Sequence, residues 1–153
     1  MSPAREVCVD ASLAVKVVVA EPDSDKADAL FNEWANERKQ LIAPAFFEVE
    51  TDSILQQKVV LRKELTLEQA AAAFAKLQTL PIQQIAVPGQ RQRAWEIATD
   101  LGLPTVYDAT YLALAELHRC EFWTADERLF NRAKDRLHFV KWLGSYVSGT
   151  ASA

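Results

Sequence analysis

Short β-rich runs alternate with longer helical stretches along the whole chain, and this alternation restricts the fold more than any other feature. "EVCVD" reads as a buried strand. "SLAVKVVVA" and "DSDKADALFNEWANERK" read as helices, the second with Asp23 or Ser24 as N-cap. "QLIAP" is a second short strand, stopped by Pro44, and residues 45–63 read as a helix. "TLEQAAAAFAKLQTL" is a helix opened by Thr66 and Gln69 at capping-box spacing. "PIQQIAV" is a strand, and "PGQRQRAWEIATDLG" a helix started near Pro88 and closed by Gly102. "VYDATYLALAELHR", "CEFWTA", "DERLFNRAKD" and "LHFVKW" continue as helix, strand, helix, strand. The pattern predicts an α/β domain with a mainly parallel central sheet of four to five strands flanked by helices on both faces. With 153 residues there is room for one core and little more. We expect a single domain over residues 1–145 and a small, polar, frayed tail over 146–153.

The net charge of −4 does not advertise nucleic-acid binding, which usually shows as a basic domain, although local patches can still bind phosphates. Two histidines and two cysteines without CxxC spacing argue against a zinc site of the Cys/His type. Cys8 and Cys120 lie in apolar stretches and read as reduced core thiols. The N-terminus meets charge at Arg5, Glu6 and Asp10, and Lys16 interrupts the longest apolar run. Neither a signal peptide nor a membrane span is expected, and the default is a soluble cytoplasmic protein.

In parallel α/β folds ligands bind beyond the carboxyl ends of the strands, so acids at strand ends and helix starts carry the most information. Asp10 ends the first strand in "VCVDAS". Asp108 opens an otherwise apolar helix in "PTVYDATYLALAEL", and Asp126 follows a strand in "FWTADERL". Helix capping is a sufficient reason for each alone. Glu50 differs. At 100° per residue Phe46, Phe47, Ile54, Gln57 and Leu61 fall within about 60° of it, whereas Glu48 and Asp52 fall on the opposite face. Glu50 therefore lies on the expected core stripe, where a carboxylate needs a cation from the protein or a metal. The fold predicts that all four acids converge on one rim within a few ångströms. So many like charges require a cation, and oxygen donors without His or Cys suit Mg²⁺ or Mn²⁺.

"VDAS", "PAFFEVE", "GLPTVYDATYLALAE" and "FWTADERL" resemble, in order and spacing, the motifs of the PIN domain. This is the metal-dependent ribonuclease domain found in VapC-type toxins of bacterial and archaeal toxin–antitoxin pairs. The resemblance runs from about residue 6 to about residue 141 and is most specific from Asp108 to Asp126. It implies a three-layer PIN-like fold and hydrolysis of RNA phosphodiester bonds with Mg²⁺, Mn²⁺ serving as a substitute. It assigns the catalytic, metal-binding acids to Asp10, Glu50, Asp108 and Asp126. Ser12 and Thr124 stand where the family often has hydroxyls near the first and last acids, and would orient ligands from a second layer. A small antitoxin, commonly inserting a basic side chain among the acids, and a homodimer are also implied. "LAVKVVVAEP" and "ALFNEWA" are candidates for an apolar groove serving either contact, with a role in the core as at least an equal alternative.

RNA must still reach an acidic site on an acidic protein. Lys58, Arg62 and Lys63 end the Glu50 helix, Arg91 and Arg93 begin another, and Arg128, Arg132, Lys134 and Arg136 decorate the helix after Asp126. These are candidate backbone contacts, with a solvated helix surface as the plainer explanation of each cluster. Two rival classes remain: an RNA-binding module that holds metal without catalysis, and a phosphate-handling enzyme using Asp10 as nucleophile. A dehalogenase-like site wants a second Asp where Ser12 stands.

Overall fold

The computed structural model describes residues 5–148. Its elements are β1 (Glu6–Val9), α1 (Ala11–Val18), α2 (Ser24–Asn36), β2 (Gln40–Ala43), α3 (Phe47–Val60), α4 (Leu67–Leu77), β3 (Ile82–Gln84), α5 (Gln90–Leu101), α6 (Tyr107–Leu117), β4 (Glu121–Thr124), α7 (Glu127–Ala133) and β5 (Val140–Trp142). The strands form one five-stranded sheet in the order β3-β2-β1-β4-β5, and every pairing is parallel. Helices flank the sheet in the expected three-layer α/β arrangement.

The chain builds outward from β1 through β2 to β3, then crosses to the other side of β1 to lay down β4 and β5. The strand order therefore reverses beside β1, and a crevice opens there at the carboxyl ends of the strands. Val9 is in register with Trp123, so the residues that follow, Asp10 and Thr124, face each other across this switch point.

Central strands buried on both faces read as continuous apolar runs, and Val7, Cys8 and Val9 are almost wholly buried. The main core joins them to Leu13, Leu30, Trp34, Ile42, Leu112 and Phe122. Both cysteines are free and buried, as expected of core thiols, and burial pushes both thiol pKa values up.

Local signals mostly act as the sequence implies. Thr66 and Gln69 form the reciprocal capping box of α4. Gly102 closes α5 at φ 65°, a conformation that costs glycine little. The start of α2 differs. Asp23 holds the N-cap position in the left-handed region at φ 67° and makes no capping bond, while Ser24 Oγ donates to the Val19 carbonyl at 2.8 Å. The two stretches offered for an apolar groove serve mainly the core: Val15, Val18, Val19, Leu30 and Trp34 are buried, while Val17, Ala29 and Phe31 stay partly exposed. Of the expected tail, Tyr146 is buried and packs edge-on to Trp123, while residues 149–153 lie outside the described residues.

Candidate active site

Asp10 occupies the floor of the switch-point crevice and is 6% exposed. Its Oδ2 accepts from Thr124 Oγ1 at 2.6 Å and from Ser12 Oγ at 3.0 Å. Each hydroxyl in turn accepts a backbone N–H from the turn after β4: Thr124 from Asp126 at 3.0 Å, Ser12 from Ala125 at 3.3 Å. Because the lone pairs of both hydroxyls are engaged by N–H donors, their single protons point at Asp10. That network fits an ionised carboxylate held in one orientation. Burial raises the Asp10 pKa, the two hydroxyls pull it down, and the charge of Asp126 raises it again.

Asp126 does cap its helix: Oδ1 accepts from the N–H groups of Arg128 at 3.0 Å and Leu129 at 3.3 Å. Asp108 does not. It lies within the first turn of α6, whose N-cap position is Val106 and carries no side-chain cap. Among the described residues it has no hydrogen bond or ion pair. It is half-buried, and its pKa is pushed up to about 7, first by burial, then by the charges of Asp10, Asp126 and Glu50.

Glu50 reaches the same crevice from α3, where Tyr111 Oη donates to its Oε1 at 2.7 Å. Burial raises its pKa, the Tyr111 bond lowers it, and Asp10 raises it again. Glu48 is exposed, and its backbone N–H is bound by Gln84 Oε1 at 3.0 Å, on the β3 side of α3. Glu50 is thus the inward acid, but the reason differs from the stripe argument. The buried stripe of α3 is Phe47, Thr51, Leu55 and Lys58, and Gln57 and Leu61 are exposed. Glu50 sits at the margin of the core stripe, where α3 borders the crevice.

No Lys, Arg or His is paired with any of the four acids among the described residues. A carboxylate neutralised by a protein cation is therefore not the explanation for Glu50 or Asp108. Nor do the acids already clasp one point: among the described residues, no three His, Cys, Asp or Glu side chains stand together so as to hold an ion. Convergence within a few ångströms is corrected to this extent. The acids ring one crevice and feel one another's charge, and closing on a cation takes side-chain rotation or bridging water.

The basic candidates divide. Lys58 is corrected: it is buried at 5% exposure and clamped between Glu21 at 2.5 Å and Glu64 at 3.1 Å, so it cannot serve RNA. Arg93 is spent largely on a bidentate pair with Glu116 that fastens α5 to α6. Arg132 Nη1 bonds the Gly102 carbonyl at 3.0 Å. Arg128 is exposed beside Asp126, and Arg62 lines a groove with Ser12, Gln57 and Asp126. Arg91 is exposed in a separate cleft.

The sequence pattern of the PIN domain matches residues 7–135, a span that includes all four acids. The chain belongs to the PIN domain family. Within it, this PIN domain is 34% identical over 123 residues to ribonuclease VapC9 of Mycobacterium tuberculosis, covering 80% of this chain and 87% of that protein. The same figures hold for VapC ribonuclease Mb0985 of Mycobacterium bovis. This is a PIN domain of VapC ribonuclease type. Two solved structures share the fold. PAE2754 of Pyrobaculum aerophilum aligns with TM-score 0.61 and 23% identity, over 84% of this chain and 85% of that one. VapC20 of Mycobacterium tuberculosis, described as a sarcin–ricin loop cleaving toxin, aligns with TM-score 0.60 and 17% identity, over 86% and 95%.

Tyr111 is the residue to which the sequence alone gave a place beside Asp108 but no role. A wholly buried tyrosine needs a partner for its hydroxyl, and this one falls one helical turn after Asp108, which was the available signal. Phe46 packs edge-on against both Tyr111 and Tyr107 and fixes the ring from the side. We expect Tyr111→Phe to fold and to melt several degrees below the parent, since a hydrogen bond to a carboxylate is worth about 1.5 to 3 kcal/mol. It should lower activity or metal affinity by about tenfold, as loss of a bond that orients a metal-site carboxylate does. A Mn²⁺ titration of activity measures this, and an unchanged midpoint and rate would make Tyr111 a packing residue only.

Proposed function

We propose that this PIN domain is a divalent-metal-dependent endoribonuclease, hydrolysing RNA phosphodiester bonds as the toxin of a toxin–antitoxin pair in the cytoplasm. The observation that carries the reading is Asp108, a half-buried carboxylate without a partner, facing three further acids across the switch-point crevice. A structural acid would have a cap or a cation, and Asp108 has neither.

Asp10 and Asp108 would hold Mg²⁺, with Glu50 and Asp126 completing the set directly or through water, and Mn²⁺ substituting. When bound, the ion supplies charge neutralisation at the phosphate and acidifies an attacking water. Ser12 and Thr124 tie Asp10 Oδ2, so the rotation that would cost ligand geometry is removed in advance. Asp126 is anchored in the same way by capping α7 through Oδ1. Asp108, with a pKa pushed up to about 7, would hold the ion in its deprotonated form, so binding at neutral pH would release protons. The family resemblance supplies the expected products, a 5′-phosphate and a 3′-hydroxyl. Arg62 and Arg128 flank the acids and suit backbone phosphates.

The reading extends to a small antitoxin placing a basic side chain among these unpaired acids, and to a homodimer. No helix among the described residues is long and apolar enough to cross a membrane.

Cleavage of single-stranded RNA with and without Mn²⁺ tests the proposal, and chelator should abolish it. In the same samples Mn²⁺ should raise the melting temperature. An ion at a hundred times its Kd stabilises by about 2.7 kcal/mol, several degrees for a domain of this size. A melting curve indifferent to millimolar Mn²⁺, with cleavage that survives chelator, would overturn the metal site. Metal-dependent RNA binding without cleavage would leave the non-catalytic module as the better description.

A further inference from the structure

We infer that the cleft between α5 and α6 is a nucleotide-binding platform, on which Trp95 stacks a base of the RNA and Arg91 takes the adjoining phosphate. The inference rests on the ribonuclease reading and adds a second contact region away from the acids. The cleft measures about 1140 Å³ and is lined by Arg91, Gln92 and Trp95 of α5, by Val106 at the N-cap of α6 and by Thr110 of α6, among others.

Three observations set it apart from ordinary surface. Trp95 is 65% exposed, whereas Trp34 and Trp123 are buried. An indole left in water in one cleft with exposed Val106 is an apolar patch without a partner in this chain. Arg91 stands one helical turn before Trp95 on the same face, and among the described residues it has no hydrogen bond or ion pair. Its neighbour Arg93 is consumed by Glu116, so Arg91 keeps the charge that the cleft presents. Among the described residues no Asp or Glu lines the cleft, on a chain whose net charge is −4.

An acid-free cleft with an open indole, a free guanidinium and an exposed amide at Gln92 matches the chemistry of a single-stranded nucleotide. A stacking face takes any base and the cation takes its phosphate. An apolar protein segment has no use for the unpaired Arg91. The bidentate Arg93–Glu116 pair joins α5 to α6 next to the cleft's helices. Its relation to the acids follows from the helix. Val106 and Thr110 share one face of α6, and Asp108 lies about 160° away on the other. A strand passing round the first turn of α6, past exposed Tyr107, therefore joins platform and acids over about 16 Å, half the circumference of a helix. The platform binds the substrate without touching the reacting phosphate.

The test measures binding of a short fluorescein-labelled single-stranded RNA of mixed sequence in EDTA, then cleavage of the same RNA with Mn²⁺. Trp95→Ala should weaken binding roughly tenfold or more, as loss of a base–aromatic stack does, and Trp95→Phe should restore most of it. Arg91→Gln should weaken binding and lower the salt dependence by the equivalent of about one phosphate contact. Both should raise KM with kcat little changed, since the lost contact is uniform between ground and transition states. Trp95 is exposed, so the variants should melt like the parent. Unchanged KM and affinity in Trp95→Ala, with the parent cleaving normally, overturns the platform alone. A parent that neither binds nor cleaves RNA overturns the ribonuclease reading beneath it. If Trp95→Ala leaves RNA affinity intact but turns a dimer into a monomer by sedimentation, the cleft is an interface between copies and the platform is wrong.

Discussion

Glu50→Gln should lower metal-dependent RNA cleavage by about a hundredfold or more, whereas Glu48→Gln should leave it within a few-fold of the parent. The two residues are neighbours on one helix and carry the same group, so the contrast isolates position from chemistry. Glu50 is held in the crevice by Tyr111 and lies within the field of Asp10. Glu48 is exposed on the flank bound by Gln84. Gln can still accept the Tyr111 bond, so Glu50→Gln should keep its fold, and lost activity then reports the charge. The measurement is initial rate at saturating Mn²⁺, with melting curves as the folding control. Equal loss in both variants would mean that α3 presents a different face to the substrate than this structure shows.

Asp108→Asn should be inactive, and in EDTA it should melt above the parent by about 2 to 6 °C. The sign follows from linkage. The folded pKa of Asp108 is about 7, above its unfolded value of 3.8. Between those values the folded protein binds a proton that the unfolded chain has released, so the stability of the metal-free protein falls as pH rises from about 4 to about 7. Above that window the whole penalty is present. A shift of one unit is worth about 1.4 kcal/mol, but water reaching the half-buried carboxylate screens much of it, which leaves roughly 1 to 2 kcal/mol. Asn removes the charge, keeps the size and flattens this part of the pH profile.

With saturating Mn²⁺ the order of melting temperatures should reverse, because the substitution deletes a ligand and with it part of the binding free energy. Melting curves of both proteins at pH 5 and pH 8, with and without Mn²⁺, give the four comparisons. An Asp108→Asn protein that melts below the parent in EDTA at pH 8 would mean that the acid stabilises the fold and that the crevice is not a metal site.

The architecture was legible because its causes are local. Hydrophobic period, the Thr66–Gln69 box, Gly102 and Pro44 each act within a few residues, and the strand and helix order follows from them. The shared rim was legible for two of the four acids, since Asp10 and Asp126 follow the parallel neighbours β1 and β4, whose ends lie side by side. What the sequence left undecided were the long-range pairings. Capping suited Asp108 and Asp126 equally on paper; the structure gives the cap to Asp126 and leaves Asp108 bare. The α3 stripe pointed to the inward acid for an incomplete reason, because a helix that borders a crevice has two inward faces, one packed in the core and one turned to the crevice. Lys58 looked like a phosphate contact until Glu21, which lies between α1 and α2, came round to neutralise it. The Tyr111–Glu50 bond spans 61 residues. Period and spacing therefore decided which residues each element could turn toward the crevice, and only the packing of α1, α3 and α6 around β1 decided which charge met which partner. The energy of a buried charge is set by neighbours in space, and for these groups those neighbours are far away in the chain.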